Sequence, residues 1–325
     1  MKIQTMLILF FVLYTLGYSQ TTNKFQSLET FLHDSCQTTG MVIMKNGKEI
    51  FNYGNIEEVS YLASCRKSVL AMLYGPFVES GLINLNETLL QIGIDDIDGL
   101  LPIEKTATID QILTARSGIY HKASNEGDAS DKAPKRGSVK PGSFWLYNNW
   151  DFNVAGYILE KKTGLSIYKL MDSLLAKPLH FQDWDIKQQR KFGDTTRSVY
   201  PAYHMFLSTR DMAKIGQLML QNGLWEGKKI ISKKWVKKIT SVVTSNQEAQ
   251  KNNTAWYDFS YGYYWWLWDK PKNKNFIGAY SATGAFGQYI TIIPKMNMVV
   301  AHKTRYPAAL NTPPETYFRI LNKIN

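Results

Sequence analysis

Cysteine is scarce, with only Cys36 and Cys65 in a chain of 325 residues. Two cysteines make at most one bridge, so an apolar core and not a disulfide framework must hold the fold. Histidine is scarce too, at His33, His121, His180, His204 and His302. No two of these stand at metal-ligand spacing, so neither a zinc site nor any other cofactor is expected. Long hydrophobic runs are missing: the longest, Met6 to Leu16, falls short of the roughly 20 residues that span a bilayer. Internal repeats and low-complexity tracts are missing as well, which excludes solenoids, arrays and collagen-like chains. Acidic residues are outnumbered, 27 against 38 basic ones, for a net charge of +11. The densest lysine cluster, Lys228 to Lys238, sets Trp235, Val236 and Ile239 opposite its charges on a helix, as a solvated face does. Base-stacking aromatics do not interleave with those lysines, and no nucleic-acid partner is expected.

What the chain does have is enough apolar material, 44% of its residues, to bury a sizeable core. It opens with Lys2, the apolar stretch and the small-residue site Gly17-Tyr18-Ser19. This pattern reads residues 1–19 as a cleaved export signal, with a secreted or periplasmic mature protein that retains no membrane span.

After a short helix at Ser27 to Ser35, Gly40 to Lys45 and Glu49 to Tyr53 alternate as strands around Asn46-Gly47, a hairpin signal. Val59 to Ala63 reads as another strand. From Ser64 the apolar spacing switches to three and four residues through Phe77, a helix capped by Ser64 and ending near Gly81. Helices follow over Asn149 to Lys162, Ser166 to Ala176 and Arg210 to Gln221, after a polar, flexible stretch from Ser124 to Lys140. Strand composition returns at Tyr261 to Trp268, Phe286 to Ile293 and Met298 to Lys303, before a closing helix at Glu315 to Lys323. Strands at both ends predict an α+β fold in which 20–80 and 205–325 form a domain with one antiparallel sheet flanked by helices. Residues 81–204 form a mostly helical inserted domain, and a cleft between the two is the natural site.

Ser64-Cys65-Arg66-Lys67 places a serine and a lysine three residues apart at a helix start, on one face. A desolvated lysine amine beside a serine hydroxyl can take its proton and make it a nucleophile. With 21 serines and 30 lysines, chance supplies about two such pairs, and the second is Ser166 to Lys169. Ser166 opens a helix in the middle region and reads as an ordinary cap. Tyr147-Asn148-Asn149 comes next, with a phenol able to relay a proton and the Asn149 amide able to hold substrate and Lys67. Tyr53-Gly54-Asn55 has the same pattern but precedes Ser64. The third element, Ala282-Thr283-Gly284-Ala285, leads into a strand, where glycine permits close backbone approach. Cys65, one residue from Ser64, points about 100° away around the helix and reads as a buried apolar residue. His204 either lines the cleft or serves as a hydrogen-bonded structural histidine. The rings from Trp256 to Trp268 pack the sheet, with some free to wall an apolar substrate site.

These three motifs, in this order, resemble the penicillin-recognising serine hydrolases: class C β-lactamases, DD-peptidases, family VIII esterases and 6-aminohexanoate-oligomer hydrolases. The stretches ATIDQILTARSGIYH, PGSFWLYNNWDFNVAGYILEKKTG, FLSTRDMAKIGQLML and GQYITIIPKMNMVV are similar to that group too, from about Gly40 to the C-terminus. The resemblance implies a β-lactamase-like fold with Ser64 as acylated nucleophile, Lys67 as base and Tyr147 as proton relay. It implies substrate contacts at Asn149, Thr283 and Gly284, and an oxyanion hole from the backbone N–H groups of Ser64 and Ala285. One departure stands out: the group's triplet opens with Lys or His, and Ala282 stands there instead. The expected partner is therefore a small ester or amide. The rival readings are a penicillin-binding-like domain that acylates slowly as a sensor or scaffold, a true β-lactamase or DD-peptidase, and a cysteine hydrolase using Cys65.

Overall fold

The computed structural model describes residues 25–306 and 310–324, so the export-signal reading lies outside the described residues. Among these, both cysteines are free, and no helix is long and apolar enough to cross a membrane.

Seven antiparallel strands form one sheet in the order Lys48–Gly54, Gly40–Lys45, Met298–Lys303, Gln288–Ile293, Tyr280–Gly284, Trp266–Trp268 and Phe259–Tyr261. The two ends of the chain meet inside it, where Gly40 pairs with Lys303 and Val42 with Ala301. The first hairpin turns as expected, with Asn46 and Gly47 both at positive φ, the geometry that matches strand twist. Strand alternation then sorts the side chains onto two faces. Met41, Ile43, Tyr289, Ile293 and Val300 pack beneath the helix at 25–35 and the helix Pro314–Ile324. Val42, Ala282, Ile290, Val299 and Ala301 face the principal core, which also takes in the helices Cys65–Glu79 and Thr209–Leu220. This is the antiparallel sheet flanked by helices that the α+β reading describes.

Cys65–Glu79 is buried from Cys65 through Gly75, so it is apolar on all sides and runs through the core. Two of its polar groups are bonded inward, Ser68 to the Tyr264 carbonyl and Tyr74 to the Ala155 carbonyl at 2.6 Å. Between this helix and Thr209–Leu220 the chain is helix-rich. Asn149–Thr163 is capped by Asn148, and Gly164 closes it in the left-handed conformation. Ile167–Met171 is capped by the Ser166 side chain and widens into a π-turn at Asp172–Ala176.

Four expectations are corrected. Tyr261 to Trp268 is two strands, because Tyr264 takes φ 63° and turns the chain between them. Phe286 and Gly287 are likewise in positive φ, so that strand begins only at Gln288. The Val59 to Ala63 strand shrinks to Ser60–Tyr61, paired with Phe206–Leu207. The stretch from Ser124 to Lys140, expected to be flexible, is tied down by Arg136, whose guanidinium donates twice to Glu104 at 2.9 Å.

The helix Thr209–Leu220 approaches the sheet through Gly216, where a Cβ would lie 2.3 Å from Val299 Cγ1 and 3.0 Å from Ile290 Cγ2. Alanine ordinarily stabilises a helix interior relative to glycine by up to about 1 kcal/mol. Here overpacking reverses the sign, and Gly216→Ala is expected to lose about 1–3 kcal/mol. Denaturant unfolding of the variant measures this, and a gain in stability would show the helix free to back away.

Candidate active site

Ala63 carries the chain from the short strand Ser60–Tyr61 into the core helix with φ 49°, a strained conformation for a residue with a side chain, of order 1–3 kcal/mol. Ser64 follows at the N-cap position with helical angles, and its side chain makes no capping bond. Ser166, Ser208 and Ser232 do the opposite, each accepting a backbone N–H in the next turn. The capping role expected for the Ser64 side chain is therefore corrected. Its hydroxyl is not spent on the cap, while the Ser166 to Lys169 pair is an ordinary cap.

One turn on, Lys67 is 1% exposed. Its amine donates to Tyr147 Oη and to Asn149 Oδ1, both at 2.8 Å, and sits 4.1 Å from the Tyr147 ring centre and 3.9 Å from that of Phe152. Burial holds its pKa well below the ordinary lysine value, the Arg66 charge pushes the same way, and Asp128 opposes both. The Tyr147 phenol is pushed up by burial, against a hydrogen bond from Ser64. Ser64, Tyr147 and Lys67 thus form one connected line with the phenol in the middle. Asn149 is held in turn by Asp128, whose Oδ2 accepts its backbone N–H at 2.7 Å, and by the Glu126 carbonyl, which accepts from Nδ2 at 2.9 Å. Asp128 and Glu126 were invisible in the sequence, where they belong to no motif.

Two cavities open on either side of Ser64. The smaller, about 340 Å³, is walled by Trp145, Tyr147, Trp256 and Trp266, with Thr283 and Lys132 on its border. The larger, about 1060 Å³, reaches Arg66, His204 and Arg190. Ser64, Ala285 and Phe286 border both. Of the triplet, Thr283 faces the small cavity, whereas Ala282 is 0% exposed in the principal core. Gly284 borders the small cavity as well and also allows a close approach of chain to chain. A Cβ on it would lie 2.8 Å from the Leu62 carbonyl and 3.0 Å from the Ser64 nitrogen.

Other candidates separate cleanly. Cys65 is buried, donates to the Gln288 carbonyl at 3.2 Å, and has its thiol pKa raised by burial, so it is inert. Tyr53 lies in the sheet, against the terminal helices. His204 lines the larger cavity and bonds the Phe192 backbone, while its buried Nε2 has no partner among the described residues. Burial, then the Arg66 charge, lowers its pKa to about 4. Arg66 itself was passed over as an unspecified position inside the first motif.

The close fit at Gly284 generates a test. Gly284→Ala is expected to push the strand and the Ser64 turn apart, lowering turnover at least about 10-fold with the thermal transition nearly retained. Full activity in a folded variant would mean that this contact does not set the Ser64 geometry.

Comparison with known proteins agrees with this architecture. The Beta-lactamase family model matches residues 25–308. The 6-aminohexanoate-dimer hydrolase of Paenarthrobacter ureafaciens is 23% identical over 310 residues, covering 86% of this chain and 75% of its own. Among solved structures, a penicillin-binding protein from Bacillus halodurans matches 92% of this chain and 100% of its own with a TM-score of 0.66 at 14% identity. EstCE1, described as a hydrolase with promiscuous acyltransferase activity, matches 95% and 99% with a TM-score of 0.65 at 13% identity. These structural matches establish likeness of fold. With the family match spanning nearly the whole described chain, the protein belongs to the β-lactamase family of serine hydrolases.

Proposed function

We propose that this chain is an exported serine hydrolase that works through an acyl-enzyme on a small ester or amide, with Ser64 as nucleophile. One observation carries the reading: a buried lysine amine is joined through a tyrosine phenol to a serine hydroxyl at the mouth of two cavities. In acylation the Ser64 proton passes to Tyr147 Oη as the Tyr147 proton passes to neutral Lys67, and Ser64 Oγ bonds to the substrate carbonyl. The lysine then returns a proton by the same route to the leaving oxygen or nitrogen, and water repeats the sequence to free Ser64. The backbone N–H groups of Ser64 and Ala285 are assigned to the oxyanion, a role supported by their position at the shared mouth.

Substrate class follows from the walls. The enzymes this chain resembles carry a cation at the first triplet position to hold a substrate carboxylate, and Ala282 supplies none. Lys132 on the border is exposed, where a solvated charge contributes at most about 1 kcal/mol. Three tryptophans in the small cavity favour an uncharged, apolar group there. The names of two matched proteins, an amide-dimer hydrolase and a hydrolase with acyltransferase activity, support acyl transfer. Short esters and uncharged amides are therefore expected to outpace penicillins and cephalosporins.

Mass spectrometry of the intact protein after exposure to ester, amide and β-lactam panels tests this, and stable acylation without turnover would favour the sensor reading. Ser64→Ala is expected to abolish covalent labelling by a fluorophosphonate, while Cys65→Ser retains most activity. Labelling that survives the first change and vanishes in the second would move the nucleophile to Cys65.

The lysine gives a second test. Below its pKa Lys67 is an ammonium and accepts no proton; above it the neutral amine works. Since burial and Arg66 hold that pKa well below 10.5, kcat/KM is expected to rise with pH and level off well before that value. Lys67→Arg, which cannot lose its proton, should cost at least about 100-fold. Near-normal rates in this variant would reduce Lys67 to a structural partner.

A further inference from the structure

Arg66 is 2% exposed and lines the larger cavity beside Ser64. Its one oxygen contact is marginal, Nη1 donating to the Ala63 carbonyl at 3.4 Å, and its guanidinium carbon lies 5.1 Å from the Tyr203 ring centre. Nε and Nη2 are both buried and without a partner. Among the described residues, Arg116, Arg136, Arg197, Arg210 and Arg305 have carboxylate partners; Arg66, Arg190 and Arg319 have none, and of these three only Arg66 is buried. A guanidinium keeps its charge in any protein environment, and a buried charge without a counter-ion is strongly disfavoured. The two orphaned nitrogens are those that share one edge of the guanidinium plane, the edge that receives both oxygens of a carboxylate. His204, with its own unpartnered Nε2, borders the same cavity.

We propose that the Nε–Nη2 edge of Arg66, with His204 beside it, is a carboxylate subsite. An ester or amide with an acid group on the side of the scissile carbonyl that faces the larger cavity is then turned over faster than its uncharged counterpart, while the small cavity still takes an uncharged group. This inference rests on the reading of Ser64 as nucleophile and deepens it. The site thus has a cation bordering the larger cavity, although Ala282 supplies none. Glu126 and Asp194 at the rim do not cancel it, since Glu126 is paired with Arg197 at 3.0 Å and Asp194 is exposed.

The test uses two matched ester pairs, each member ending in a carboxylate or in the corresponding carboxamide. The group sits on the acyl chain in one pair and on the leaving group in the other. For the pair that reaches the larger cavity, the wild type is expected to prefer the acid by about 10- to 100-fold in kcat/KM, the worth of a charge-assisted bidentate contact. Arg66→Gln should bring that ratio near one, and Arg66→Lys, which keeps charge without the fork, should leave an intermediate ratio. A neutral short-chain ester reports whether each variant still folds and turns over. Competitive inhibition of the wild type by butyrate against butyramide reads the same preference without any variant. No acid preference in either pair and in the competition overturns the subsite, as does an unchanged ratio in an active Arg66→Gln protein. Turnover that survives Ser64→Ala would instead overturn the nucleophile reading, so the two failures are distinguishable.

Discussion

Everything in this site depends on keeping one amine dry. Lys67 has no carboxylate in contact; its neighbours are a phenol, an amide oxygen and two aromatic faces. An ammonium in that setting loses hydration that nothing replaces in full, so the neutral form is favoured. The rest of the fold can be seen as what excludes water from this point. The Cys65–Glu79 helix supplies Lys67 from inside the core, and the Asn149–Thr163 helix brings Phe152 against it. The two helices are joined by the Tyr74 hydroxyl and the Ala155 carbonyl. Phe152 is locked in turn against Tyr264, edge to face at 4.8 Å. The site is rigid because its aromatic walls are also core.

Two adjacent basic residues at one helix start respond differently to the same burial. Lysine can lose its proton and arginine cannot, so the neighbouring charge of Arg66 helps to discharge Lys67 while remaining itself. The helix N-terminus adds positive potential to both. A positive, water-poor corner with a serine hydroxyl at its edge is well suited to a developing oxyanion. The same corner explains why Cys65, though adjacent, is not activated: its side chain turns into the apolar core, where burial outweighs any attraction to positive charge.

Much of this was legible in the sequence, and the reasons for success and failure are physical. Asn46-Gly47 announced its hairpin because few other residues accept two successive positive φ values. The first motif stood out by its context, a polar start to an unbroken apolar helix, and the decoy at Ser166 lacked that context. Tyr261 to Trp268 misled because aromatic residues favour strands on either side of a turn alike, and nothing in Tyr264 itself signals φ 63°. Asp128 and Glu126 hold Asn149 by contacts across more than 20 residues of chain, which composition cannot reveal. Arg66 was hidden for another reason: a motif written with two free positions draws attention away from what fills them. The role of Gly284 was legible only in part, since sequence marks where a side chain is excluded but not which neighbour excludes it.

The position of Ser64 is finally a matter of where the chain ends meet. Lys303, on the last strand, is 2% exposed, and its amine donates to the carbonyls of Ser60, at 3.0 Å, and Leu207. Those carbonyls belong to the two short strands that lead into Ala63 and Ser64 on one side and into the Thr209–Leu220 helix on the other. Burial lowers the Lys303 pKa to about 7, so the amine remains a donor whether charged or neutral. Gly40 pairs with this same residue from the first strand. Meanwhile the triplet strand, two places along in the sheet, presses Gly284 against the Ser64 backbone. The Ser64 turn is thus held by the closing of the sheet and by the close fit of a glycine. A strained residue such as Ala63 persists only where its surroundings over-determine it, and here two separate strands do so.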